Sequence, residues 1–149
     1  MSSPFTPMSA AEFVNRVLQR ADLGDHDRAR RAVDAVLETL AERITGGQAD
    51  DLATKLPEQF AGPLRAGQGP PDQAESFDLE EFCRRVAQRQ GGSTTAEQVR
   101  AHVAAVMQTL RDALPDEYDD VASQLPRTYA EVLPVAPGDD VRPPEQRLS

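Results

Sequence analysis

The octet DDLATKLP at residues 50–57 returns as DDVASQLP at residues 119–126. A near-verbatim repeat inside a chain of 149 residues constrains the fold more than any other feature, because self-similarity at a fixed period means one structural unit used twice. The rest of the chain keeps the same order at a nearly constant offset. EFVNRVLQR at 12–20 lies over EFCRRVAQR at 81–89, which sets Phe13 on Phe82, Val17 on Val86, and Arg16, Gln19 and Arg20 on Arg85, Gln88 and Arg89. AVDAVLETL at 32–40 lies over HVAAVMQTL at 102–110, and Phe60 and Leu64 lie over Tyr129 and Leu133. The organisation expected is helical repeat 9–64, a Gly- and Pro-rich linker 65–77, helical repeat 78–133, and flexible Pro-bearing ends at 1–8 and 134–149.

Periodicity makes each copy helical. Ser9 with Glu12 has the form of a capping box, and Phe13, Val14, Val17, Leu18 and Ala21 then fall on one face. Asp25 is placed to cap a longer helix whose stripe runs Ala29, Ala32, Val33, Val36, Leu37, Leu40 and Ile44, and Thr45-Gly46-Gly47 is expected to stop it. In the second copy Asp78 with Glu81, then Thr94 with Glu97, open stripes through Phe82 and Val86 and through Val99, Val103, Val106, Met107, Leu110 and Leu114. No period-two run rich in β-branched residues occurs, so no strand is assigned.

The octets then supply a short third helix in each copy, with Leu52, Ala53 and Leu56 or Val121, Ala122 and Leu125 facing inward. Asp50-Asp51 and Asp119-Asp120 sit in its first turn or two, where free N–H groups and the macrodipole favour negative charge. Pro57 and Pro126 turn the chain out again and return Phe60 and Leu64, or Tyr129, Val132 and Leu133, to the core. One copy is too small to cover its own apolar stripe. The expected fold is therefore all-α, two homologous multi-helix units packed into one helical bundle with pseudo-two-fold symmetry.

The formal net charge of −9 repels phosphate backbones and anionic headgroups. Arg28, Arg30 and Arg31 are interleaved with Asp25, Asp27 and Asp34, while Glu80 and Glu81 precede Arg84 and Arg85, so these clusters read as mixed-charge helix faces. Neither nucleic acid nor a membrane is expected as a partner. The single cysteine, Cys83, has no partner for a bridge, and the N-terminus lacks the basic start and apolar run of a secretion signal. A cytoplasmic protein is expected.

Paired aspartates invite a metal hypothesis. Neighbours on a helix diverge, no His or Cys adjoins them, and GGQADDLATKLPE lacks the spacing of a calcium loop, so an architectural role at the helix start accounts for them better. His26 and His102 fall at non-equivalent places, and His102 lies over Ala32. Cys83 lies over Val14, an apolar position, and reads as a small buried hydrophobe. Phosphate-cradling, dinucleotide, nucleophile-elbow and zinc-binding motifs are absent. No catalytic, metal or cofactor-binding residue is assigned and no cofactor is expected. The reading is a noncatalytic helical interaction module that binds a protein partner or itself. The alternative is a small-molecule binding protein or enzyme using a cleft between the two units.

The pattern EFVNRVLQRADL…RRAVDAVLETLAERITGGQADDLATKLPEQF, followed by a second copy ending in DDVASQLPRTYAEVL, resembles the bacterial family catalogued as domain of unknown function 2267. The resemblance spans Glu12 to Leu133, and the second copy departs from it by carrying LPDEY in place of the Gly-Gly turn. It implies a small bacterial, cytoplasmic, helical protein and brings no activity to any residue.

Overall fold

The computed structural model describes residues 8–91 and 94–134. The ends expected to be flexible, 1–7 and 135–149, lie outside the described residues; Met8 packs against the core, and the Pro134 carbonyl accepts from the Tyr118 hydroxyl at 3.4 Å. Among the described residues every regular element is helical. They are α1 (Ala10–Ala21), α2 (His26–Arg43), α3 (Gly46–Lys55), α4 (Ala61–Gly67), α5 (Leu79–Gln90), α6 (Ala96–Ala113) and α7 (Pro115–Ser123), with 3₁₀ turns at Glu58–Phe60 and Arg127–Val132.

Several helix starts follow the sequence. The Ser9 hydroxyl accepts from Glu12 N, and Asp25 and Asp78 cap α2 and α5 in the same way. α6 differs by one residue: Thr95, not Thr94, is the cap, and Gln98 closes a reciprocal box with it. At Ser9 the box is half made, because the Glu12 carboxylate turns to Arg16 instead.

The Gly46-Gly47 pair does not stop α2, which ends at Arg43. It forms the first turn of α3, and the linker explains why. Gly46 N donates to Pro70 O and Gly47 N to Pro71 O, both at 2.9 Å. Thr45 N is met by Gln124 Oε1 and Gln48 N by Thr45 Oγ1. The N–H groups that a helix start leaves unpaired are thus satisfied by chain from elsewhere. Such contact needs glycine: a Cβ on Gly46 would stand 2.0 Å from Gly69 O. α4 continues through Gly67, so three residues assigned to the linker are helical, and a Cβ on Gly67 would meet Glu38 O at 2.1 Å.

The core is one contiguous cluster drawn from both halves. α2 and α6 pack on each other; α1 lies on both α2 and α6, and α5 lies on both α6 and α2. Each half's first helix therefore covers the other half's second helix. Phe13 meets Phe60 at 5.1 Å between ring centroids, and Phe82 meets Tyr129 edge-on at 5.7 Å. Both pairs are favourable tilted arrangements. The linker closes the structure through Phe77, whose carbonyl accepts from Arg43 Nε at 2.9 Å and the Tyr129 hydroxyl at 2.6 Å, and whose ring lies 4.0 Å from the Arg85 guanidinium.

Candidate functional site

Between the halves the polar side chains form two clamps. On one side Arg20 donates to Thr109 Oγ1 at 2.9 Å and to Asp112 at 2.6 Å, and Arg16 reaches the same Asp112 oxygen at 3.1 Å. On the other side Arg89 donates to Thr39 Oγ1 at 2.8 Å and to Glu42 at 2.6 Å, and Arg85 reaches Glu42 at 3.0 Å. Thr39 and Thr109 are fully buried and each donates to the carbonyl four residues back. Burial works against the charge of Glu42, but the hydrogen bonds from Arg89 and Arg85 outweigh it and hold its carboxyl below the usual range. Of the pair expected on a mixed-charge helix face, Arg84 is exposed. Arg85 is instead half-buried, bonded to Glu42, Glu75 and Glu81. The signal was present in the alignment, where Arg16/Arg85, Arg20/Arg89 and Thr39/Thr109 coincide, but only the fold pairs arginines of one half with a threonine and a carboxylate of the other.

α3 and α7 meet at a second polar junction. Gln48 Nε2 donates to Glu117 Oε1 at 2.8 Å, and Lys55 Nζ pairs with Glu117 Oε2. Glu117 is buried and Lys55 is half-exposed. Its hydrogen bond to Glu117, reinforced by the charges of Asp51 and Asp120, raises the Lys55 pKa above its usual value and keeps the ammonium protonated. A protonated amine is no nucleophile.

The paired aspartates occupy the second turns of α3 and α7, within the first two turns expected of them. No acidic residue lies in the first turn of α3, where Thr45 is the cap, and Asp50 pairs with Arg65. Within each pair the two members diverge. Asp50 turns to Arg65 on α4 at 2.9 Å, whereas Asp51 and Asp120 both act on Lys55. With exposed Asp116 and Asp119, they make the α3–α7 junction an acidic face. Among the described residues no group of three or more His, Cys, Asp or Glu has the arrangement to hold a metal ion.

The remaining singled-out residues do not come together. His26 is exposed at the start of α2. His102 is buried, faces Gln90 across 3.0 Å, and has its pKa lowered first by burial and then by the charge of Arg28. Burial also raises the Cys83 thiol pKa, more than Arg100 lowers it, which leaves a protonated thiol. A hollow of about 350 Å³ lies between the halves beside Ala10, Lys55, Leu56 and Leu114. A larger one, about 590 Å³, lies between α5 and α6.

The family model for an uncharacterized conserved protein, DUF2267, matches residues 10–132. The chain belongs to this family. The match runs from the first residue of α1 to the last residue of the final 3₁₀ turn, so both halves fall within one family unit. No curated protein matches the chain. None of its described helices is long and apolar enough to cross a membrane.

Proposed function

We propose that this DUF2267 protein is a noncatalytic interaction module of the bacterial cytoplasm, a tandem repeat with pseudo-two-fold symmetry that docks a basic segment of a protein partner on its acidic α3–α7 face. Support for the symmetry comes from equivalent residues making equivalent contacts: Arg20 with Thr109 and Arg89 with Thr39, Phe13 with Phe60 and Phe82 with Tyr129. Gln48 and Glu117, aligned with each other, touch, as residues beside such an axis must.

The observation that carries the docking reading is the set of exposed carboxylates on α3 and α7, Asp51, Asp116, Asp119 and Asp120, beside the Gln48–Glu117 contact between the halves. Among the described residues every Val, Leu, Ile, Phe, Met and Tyr is at least half-buried, so the partner is met by charge and not by an oily patch. A cleft enzyme is less well supported. In the hollow between the halves, Ser9 already caps α1 and Lys55 is already held by Glu117.

The test compares the natural chain with Asp51→Lys/Asp119→Lys/Asp120→Lys as bait in a lysate of the host, alongside light scattering of both. The reading expects a partner that elutes with moderate salt and is lost from the charge-reversed bait. Equal capture by both baits would contradict it. Association of the natural chain alone, abolished by the reversal, would name a second copy as the partner instead.

A further inference from the structure

Glu117 is a buried acid whose cation comes from the surface. Its side chain is 10% exposed and that of Lys55 is 51% exposed, so the ammonium stands between the carboxylate and solvent. The carboxylate does not depend on Lys55 for its place, because Gln48 Nε2 holds its other oxygen at 2.8 Å. Lys55 is the only lysine of the chain and the only basic residue on α3 or α7. Helix spacing sets it among the exposed acids of the docking face: Asp51 lies one turn before it on α3, and Asp120 lies one turn after Glu117 on α7.

An ammonium on a flexible stem is strongly hydrated, and an ion pair with one partner this exposed is weakly held. A guanidinium is planar and more weakly hydrated, and suits a carboxylate withdrawn from water better. Lys55 thus fills, from within the chain, the place that an arginine of a docked segment would take. Its charge also opposes any cation that approaches the carboxylates around it.

Resting on the docking reading, we propose that Lys55 is an intramolecular competitor of the partner: it occupies Glu117 in the free chain and is displaced by an arginine of the docked segment. Gln48 stays on Glu117 throughout, so the contact between the halves survives the exchange.

An oligoarginine peptide, titrated calorimetrically onto the full chain at low salt, is the probe, with oligolysine beside it. Lys55→Met is expected to bind oligoarginine about three- to tenfold more tightly than the natural chain while losing stability to urea. A purely structural lysine would lose stability and bring no gain in affinity. Exposed Arg31, near the start of α2 and so at the end away from α3, supplies the control: Arg31→Gln makes the same change in net charge and shifts affinity less than about twofold. Glu117→Gln removes the preference for oligoarginine over oligolysine. Circular dichroism checks folding, and Lys55→Gln decides where Lys55→Met is unfolded. The proposal is overturned if the folded Lys55 variant binds no more tightly than the natural chain, if it gains no more than Arg31→Gln, or if Glu117→Gln keeps the preference for oligoarginine. The docking reading fails by a different result, and takes the proposal with it: no chain binds the peptide, or Asp51→Lys/Asp119→Lys/Asp120→Lys binds it as well as the natural chain does.

Discussion

Gln48 donates to Glu117 at 2.8 Å, and these two residues hold the same place in the two halves of the chain. Glu117 is buried and accepts from Gln48 and Lys55, so truncating it strands an amide in the interior. Glu117→Ala is expected to cost about 1–3 kcal/mol, the penalty of an unsatisfied buried polar group. Lys55→Ala, at a half-exposed cation, costs less than Glu117→Ala. Urea denaturation of the two variants measures both, and equal costs would place the weight of the junction on the wrong pair.

The clamp at Thr39 gives a second test. Arg89→Ala removes hydrogen bonds to Thr39 and Glu42, and the loss expected is about 1–3 kcal/mol. The reciprocal clamp makes Arg20→Ala destabilising in the same sense, through Thr109 and Asp112. Because the two sites share no partner, the double variant should be additive within about 0.5 kcal/mol. A strong non-additivity would mean that the clamps are not independent.

Acid stability carries the mark of Glu42. Its carboxyl titrates lower in the folded chain than its ordinary value of 4.5, so the folded state gains from this group above that pH. The gain disappears as pH falls from 4.5 through the folded value. Glu42→Gln should flatten the acid limb of stability against pH while lowering stability at neutral pH. A variant with an unchanged acid limb would show that the arginines do not hold this carboxylate.

His102 acts in a higher window. Its folded pKa lies below 6.5, so below pH 6.5 the unfolded chain takes up a proton that the folded chain does not. Stability falls as pH drops from 6.5 toward the folded value, and His102→Gln removes that slope. Titration of His102 by nuclear magnetic resonance checks the direction: a value above 6.5 would contradict the buried neutral imidazole.

Glycine positions separate close approach from open helix. Gly67→Ala must push against the Glu38 carbonyl, and Gly46→Ala against the linker, so both lower the melting temperature. Gly62 lies within α4 and has nothing within 4 Å of where its Cβ would stand. Gly62→Ala meets no neighbour and should lower the melting temperature less than either, with only the restriction that Pro63 places on the residue before it. Calorimetry that ranked all three alike would contradict the linker contact.

Much of the fold was legible in the residues. Apolar stripes placed α1, α2, α5 and α6, and capping side chains marked the starts of α1, α2 and α5 to the residue. What escaped was whatever depended on distant chain. Gly46-Gly47 looks like a stop signal locally, and only the carbonyls of Pro70 and Pro71 make it a helix start. Asp50 looks like a group placed for the helix dipole until α4 brings Arg65 within reach. The arginines of α1 and α5 had matched partners in the alignment but no visible role, since periodicity assigns a residue to a face and cannot say which half that face will meet.

The exchange of first helices between the halves is what makes the chain one unit. Native-state amide hydrogen exchange reports it directly, because the slowest amides open only with the whole structure. The core amides of α1 and α5 are expected to exchange at the same free energy as those of α2 and α6, in a single cooperative opening. Protection lost from one half's helices while the other half stays closed would contradict that account.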